Sequence, residues 1–199
     1  ARPPQVLLQA SAIGYYGAHP ADHPITEDHP AGTDFLASVC QVWEDSTKDV
    51  ENHNVRRVIS RIGVVLSPRG GALQRMVLPF RLFAGGPFGS GSQVYSWIHI
   101  DDLTRAMLFL INQQQAQGPA NLTAPHPVTN TRFARTLGKV MNRPSYFPLP
   151  GFIFRALFGE VSSVILEGQK VLPEKLDSLG FSFHYPRLEP ALEEILSKD

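Results

Sequence analysis

The apolar positions of this chain fall into short runs, some nearly continuous and some at helical spacing, separated by breaks rich in proline, glycine and polar residues. Gln5-Val6-Leu7-Leu8-Gln9-Ala10 is almost unbroken in apolar residues, which predicts a strand covered on both faces. It runs into Ser11-Ala12-Ile13-Gly14-Tyr15-Tyr16-Gly17, a small-residue turn where backbone can approach a ligand closely. Residues 18–33 are rich in Pro, His, Asp and Gly and read as a loop. From about Asp34 to Asn52, Phe35, Leu36, Val39, Val42, Trp43 and Val50 recur at helical spacing, predicting a helix with that face turned inward.

The stretch Val55–Leu66 is rich in β-branched residues and ends at Ser67-Pro68-Arg69-Gly70-Gly71, so a second strand and a turn are expected. Strand, helix and strand in this order form the βαβ unit of a parallel sheet. A helix over about Ala72–Phe83 is broken by the glycines at 85, 86, 89 and 91. Tyr95–Ile100 reads as extended, and Asp101 or Asp102 as the cap of a helix with Leu103, Ala106, Met107, Leu110 and Ile111 on one face. A short strand over Ala120–Thr123 precedes a helix capped by Thr129, with Phe133, Leu137, Val140 and Met141 inward. From Pro144 the composition shifts to Phe, Pro and Leu, and a last helix is expected near Pro190. The boundaries that follow are 1–143 for an α/β domain and 144–199 for a smaller, mostly helical subdomain.

Composition narrows the function classes. Eighteen basic and 18 acidic residues cancel, so charge gives no case for nucleic acid or an anionic membrane as partner. The apolar runs are too short and interrupted to predict a membrane span. A single cysteine, Cys40, allows no internal disulfide, which suits a cytoplasmic protein.

Several segments together resemble one family. Ser11–Gly17 is similar to the strand end closing on Tyr-Gly in extended short-chain dehydrogenase/reductases, the nucleotide-sugar epimerase group. Arg61-Ile62-Gly63-Val64-Val65-Leu66-Ser67-Pro68 resembles that group's strand beside the nicotinamide, and Trp97-Ile98-His99-Ile100-Asp101-Asp102-Leu103 its Phe-Ile-His-Val-Asp-Asp-Leu signature. Pro79-Phe80-Arg81-Leu82, Gly85-Gly86-Pro87, Gly89-Ser90-Gly91, Thr129–Ala134 and Glu167-Gly168-Gln169-Lys170-Val171-Leu172-Pro173 are similar to the epimerase family protein 39U subgroup, the last within its C-terminal domain. The resemblance implies an α/β fold, the downstream part of a Rossmann-like, doubly wound parallel sheet that begins at roughly its fifth strand. It also implies that the Gly-x-x-Gly-x-x-Gly turn, whose amides hold the pyrophosphate, lies in a half absent from this sequence. The glycine cluster at 86–91 follows a helix instead of opening one and is no substitute. An open sheet edge would then favour self-association.

The resemblance further implies NADP(H) as cofactor, with NAD as the alternative, and a small-molecule substrate, nucleotide-sugar-like by family. Cofactor contacts are expected at Ser11, Ala12, Ile62, Gly63, Val64 and Val65, chiefly through backbone. Arg61, inside the same apolar strand, is expected to meet either a carboxylate or a ligand phosphate. The chemistry departs from the family pattern. Active members pair Tyr and Lys four residues apart on one helix face, where the lysine lowers the phenol's pKa for proton exchange during hydride transfer. Registering on Trp43-Glu44 puts Leu36 and Cys40 at those positions and Ala12 at that of the partner serine, and no Tyr-x-x-x-Lys occurs anywhere. Tyr15 and Tyr16 are the candidate replacements; their alternative role is structural packing. Two functional readings follow: an epimerase- or oxidoreductase-like enzyme with a non-standard proton donor, or a catalytically silent dinucleotide- or metabolite-binding protein.

Other features read more plainly. His19, His23 and His29 sit in a proline-rich loop without a cysteine partner, and no metal site is expected. Cys40 reads as a buried, inert thiol. His99 with Asp101 and Asp102 reads as a turn and helix cap. Phe147, Phe152, Phe154 and Phe158 read as a subdomain core, or alternatively as the lining of a substrate pocket.

Overall fold

Two residue faces of the first strand dictate the layering. The computed structural model describes residues 4–146 and 168–197, so the phenylalanines at 147–158 lie outside the described residues. β1 (Val6–Ala12) pairs in parallel with β3 (Arg56–Ile62), which pairs in parallel with β7 (Gly118–Leu122), giving the order β1-β3-β7. Between them run a 3-10 turn over Ile13–Tyr16, β2 (Pro24–Ile25), α1 (Phe35–Asp45) and a second 3-10 stretch over Lys48–His53. Among the described residues β1 is hydrogen-bonded to a strand on one side only.

Side chains alternate across β3 with the strand's period of two. Val58 and Ile62 pack with Leu103, Ala106 and Leu110 of α3 (Ile100–Asn112), together with Leu122 and Leu176. Arg57 and Arg61 face the other way, toward α1, where both bond to Glu44. The sheet is therefore sandwiched between α1 and α3, one interface apolar and the other polar.

That polarity explains a difference from the sequence reading. α1 is amphipathic, yet it buries Ala37, Cys40 and Glu44 and leaves Phe35 79% and Val42 72% exposed. The strand face it meets carries Gln9, Ser11, Arg57 and Arg61, so the helix turns its small and acidic side to the sheet. Asp34 caps it through Ala37 N at 2.8 Å. The helix ends at Asp45, earlier than the spacing predicts.

β3 stops at Ile62 and resumes after Gly63 as β4 (Val64–Leu66), which changes partner. Gly63 N still bonds Leu122 O, whereas Val64 N bonds Ser96 O and β4 pairs with β6 (Trp97–His99). A Cβ at Gly63 would lie 2.5 Å from Ser96 O and 2.9 Å from Thr123 Cγ2, so only glycine fits where the backbones converge. β5 (Val94–Tyr95) pairs antiparallel with β8 (Val128–Thr129). A second apolar core joins β4 and β6 to α2 (Ala72–Arg81), α4 (Asn130–Met141) and α6 (Leu188–Leu196), around Trp97, Phe80, Leu137 and Leu192. Thr129 caps α4 as expected, accepting from Arg132 N at 3.2 Å.

α3 is capped by His99, not by Asp101 or Asp102: His99 Nδ1 accepts from Asp101 N at 3.1 Å. Asp102 is buried and holds the C-terminal segment, accepting from His184 N and Tyr185 N at 2.9 and 2.8 Å. Arg56 Nη1 and Nη2 donate to Leu110 O, Ala116 O and Ile111 O, satisfying carbonyls at the end of α3. The chain returns through β9 (Lys170–Val171), which pairs with β2, and α5 (Glu174–Ser178). Among the described residues no helix is long and apolar enough to cross a membrane.

Candidate functional site

Parallel sheets place ligands in the crevice beyond the carboxyl ends of their strands. Here the ends of β1 and β3, the start of β4 and the first turns of α1 and α2 enclose a cavity of about 350 Å3. Its walls are Ala12, Ile13 and Gly14 from the first strand end, and Ile62, Gly63, Val64 and Val65 from the β3–β4 junction. Leu36 and Cys40 of α1, Gly71 and Ala72 at α2, Val94–Ser96, and Gly168–Gln169 complete it. The cavity forms because β1 stops while the β3–β4 strand shifts partner at Gly63, leaving the strand ends uncovered.

Five of the seven residues expected at a cofactor, Ala12, Ile62, Gly63, Val64 and Val65, line this cavity. Ser11 and Arg61 stand behind it. Ser11 Oγ donates to Glu44 Oε1 at 2.7 Å, and Arg61 reaches the same carboxylate through Nε at 3.0 Å and Nη2 at 2.9 Å. Of its two expected partners, a carboxylate or a phosphate, Arg61 has the carboxylate.

Tyr15 and Tyr16 belong to this polar layer and are not among the cavity's lining residues. Tyr16 is fully buried; its hydroxyl donates to Asn121 Oδ1 at 2.7 Å and accepts from Arg61 Nη1 at 3.0 Å. Burial pushes the Tyr16 phenol up to about 12, the nearby Arg61 only partly opposing it. The Arg61 guanidinium lies 3.4 Å from the Tyr15 ring centroid, a cation–π contact. Burial disfavours the Arg61 charge, but its bonds to Glu44 and Tyr16 prevail and move its pKa further up. Both tyrosines thus contact Arg61, one through its ring and the other through its hydroxyl.

Three members of this layer escaped the sequence reading. Glu44 comes from α1, Asn121 from β7, and Glu27 from the loop, where its Oε1 accepts from Asn121 N at 2.9 Å and Lys175 N at 3.2 Å. Burial raises the Glu27 carboxyl's pKa against those bonds. Only Glu44 carried a signal, as an acid on the helix that follows a strand pairing with an arginine-bearing one.

The polar side chains lining the cavity are few. Cys40 is 6% exposed and burial pushes its thiol up, away from the reactive thiolate. Ser96 Oγ is engaged with Gln169 O at 2.7 Å and Val171 N at 2.8 Å. Leu36 and Cys40, which registration on Trp43-Glu44 sets against the tyrosine and lysine of the family pattern, both border the cavity. The three loop histidines cluster: His23 Nε2 and His29 Nε2 are 3.0 Å apart and His19 stacks on His23. Thr26 N donates to His29 Nδ1 at 3.4 Å, so His29 Nε2 is the donor to His23. Their geometry is that of a hydrogen bond.

Comparison with known proteins gives the family. A model described as the NAD dependent epimerase/dehydratase family matches residues 1–123, and one described as a domain of unknown function (DUF1731) matches 149–195. An epimerase family protein of Staphylococcus haemolyticus is 47% identical over 196 residues, covering 97% of this chain and 64% of the relative. An Arabidopsis thaliana relative, "Epimerase family protein SDR39U1 homolog, chloroplastic", is 45% identical over 193 residues, covering 97% of this chain and 55% of its own length. The crystal structure of human epimerase family protein SDR39U1 (isoform2) with NADPH superposes with a TM-score of 0.90 at 36% identity, covering 98% of this chain and 66% of that one. Thermus thermophilus UDP-glucose 4-epimerase with NAD, at 15% identity and a TM-score of 0.72, shares the fold. The chain therefore spans just under two thirds, 64%, of the Staphylococcus haemolyticus relative's length. With a parallel sheet, the crevice at its strand ends and the match over residues 1–123, the chain belongs to the NAD dependent epimerase/dehydratase family.

Proposed function

We propose that this chain forms the nicotinamide side of an NADP(H) site, in an epimerase- or oxidoreductase-like protein acting on a small molecule of the nucleotide-sugar class. One observation carries the reading: the apolar cavity of about 350 Å3 at the carboxyl ends of β1 and β3. It fits a flat, mostly apolar ring, with Ala12, Ile62, Val64 and Val65 as walls and Gly14 and Gly63 allowing close backbone approach. NADP(H) as the dinucleotide is supported by the human relative crystallised with NADPH. When bound, the nicotinamide supplies hydride exchange; this chain's part is to bind the ring, orient it and keep water away. Residues 1–143 would carry the dinucleotide side, and 144–199 the substrate side.

The second reading, a dinucleotide-binding protein that turns nothing over, has an observation of its own. Among the described residues the cavity lining includes one tyrosine, Tyr95, whose hydroxyl already accepts from Asn130 Nδ2 at 2.8 Å, and no lysine, and burial pushes the Cys40 thiol up. A fluorescence titration of NADPH, then NADH, against the 199-residue chain tests the shared premise. Saturable binding with preference for NADPH is expected; no saturation with either overturns the proposal. Single-turnover oxidation of bound NADPH by nucleotide-sugar carbonyl compounds then separates the two readings.

A further inference from the structure

Gln169 is pinned at nearly every polar atom. Its backbone N–H donates to Val94 O at 3.0 Å, its carbonyl accepts from Ser96 Oγ at 2.7 Å, and its Nε2 donates to Gly17 O. The preceding Gly168 has φ +65°, and a Cβ there would lie 2.7 Å from Val94 N, so the segment is held tightly against β5. The residue is 8% exposed and lines the cavity, yet its Oε1 has no hydrogen-bond partner among the described residues. A buried amide oxygen without a donor is rare and unfavourable. Flipping the amide does not supply one, because it would present the oxygen to Gly17 O and lose the Nε2 bond.

Among the described lining residues Cys40 offers a weak thiol, and Ser96 Oγ and the Tyr95 hydroxyl are already engaged, which leaves Gln169 Oε1 as the strong side-chain acceptor without a donor. A ligand matching this pattern is a flat apolar ring bearing one N–H donor, which describes a pyridine carboxamide. We propose that Gln169 recognises the nicotinamide carboxamide, its Oε1 accepting a hydrogen bond from the carboxamide N–H after a small turn of the side chain. The proposal rests on the dinucleotide reading above and adds to it the residue that selects the ring.

The test compares NADPH with the reduced 3-acetylpyridine analogue of NADP, whose acetyl group keeps the carbonyl but carries no N–H. The parent chain is expected to bind NADPH about tenfold more tightly than the analogue, the worth of one hydrogen bond to a buried acceptor. Gln169→Leu is expected to lose that factor for NADPH, leave the analogue's affinity unchanged and bring their ratio to about one. Equal affinities in the parent chain, or a ratio that survives Gln169→Leu, would overturn the role of Gln169 while leaving dinucleotide binding intact. Failure of the parent chain to bind NADPH at all would overturn both. If Gln169→Leu does not fold, Gln169→Met, which also lacks the amide oxygen, is read in the same way and with the same outcomes.

Discussion

Replacing Arg61 by methionine should be among the most destabilising single changes available in this chain, and its cost can be worked out from its neighbours. Arg61 is 4% exposed and Glu44 6%, and two parallel hydrogen bonds of 3.0 and 2.9 Å join them. Removing the guanidinium leaves Glu44 in a buried site with Ser11 Oγ as its one remaining side-chain donor among the described residues. Breaking one side of a buried pair costs about 3–5 kcal/mol, because the partner's charge stays desolvated. For a domain of this size that corresponds to a fall in Tm of roughly 6–20 °C. Glu44→Leu should cost a similar amount. The double variant should lose about 3 kcal/mol or more less than the sum of the singles, since no unpaired charge then remains and the main residual cost is the orphaned Ser11 hydroxyl. Urea denaturation followed by circular dichroism measures all three, with an unchanged m confirming that the native state is compared. A single-variant cost under about 1 kcal/mol, or additivity within about 0.5 kcal/mol, would show that the pair is not desolvated and refute the reasoning.

Two further perturbations follow from the same region. Glu27→Gln keeps an oxygen for Asn121 N and Lys175 N but removes the buried charge. Because burial raises the native carboxyl above its usual 4.5, the native state binds protons more readily, and the parent loses stability as pH rises from 4.5 through the native value. The variant's stability relative to the parent should therefore rise over that window in urea midpoints taken at successive pH values, and a fall would contradict the assignment. Gly63→Ala would press a methyl to 2.5 Å from Ser96 O, a backbone atom with little room to yield. A loss of about 1–3 kcal/mol, or roughly 2–12 °C in Tm, is expected; a Tm equal to the parent's would show that the β3–β4 junction is looser than described.

Legibility in the sequence followed the range of the interaction. β1, β3, α3 and α4 were marked by local periodicity, and Thr129 caps α4 where the chain pattern puts it. The inward face of α1 was not legible, because its periodicity reports two faces and only the partner decides between them. Once β1 and β3 present Gln9, Ser11, Arg57 and Arg61, the helix must answer with Glu44, and Phe35 and Val42 are left outside. His99 displaced the aspartates as cap because its Nδ1 reaches Asp101 N, freeing Asp102 to hold residues 184 and 185. That Arg61 needed an anion followed from burial alone; which anion depended on the fold. Gln169 had no local signal, since its amide partner Gly17 stands 152 residues away.

The polar layer also bears on the proton relay of the family pattern. A relay needs a hydroxyl at the cavity and a cation beside it to lower its pKa. The chain has both kinds of group, Tyr15, Tyr16 and Arg61, within one turn of the relevant strand ends, but they are committed to one another and to Glu44 and Asn121 behind the cavity. Burial takes the Tyr16 phenol up to about 12, opposite to the direction acid–base work near neutrality requires. Among the described residues lining the cavity, Leu36 has no proton to give, burial pushes the Cys40 thiol up, the Tyr95 hydroxyl accepts from Asn130 Nδ2 at 2.8 Å and the Ser96 hydroxyl donates to Gln169 O at 2.7 Å. Tyr16→Phe should accordingly lower the urea midpoint, since it orphans Asn121 Oδ1 and removes an acceptor from Arg61, whereas Tyr15→Phe, which keeps the ring over Arg61, should leave it close to the parent's.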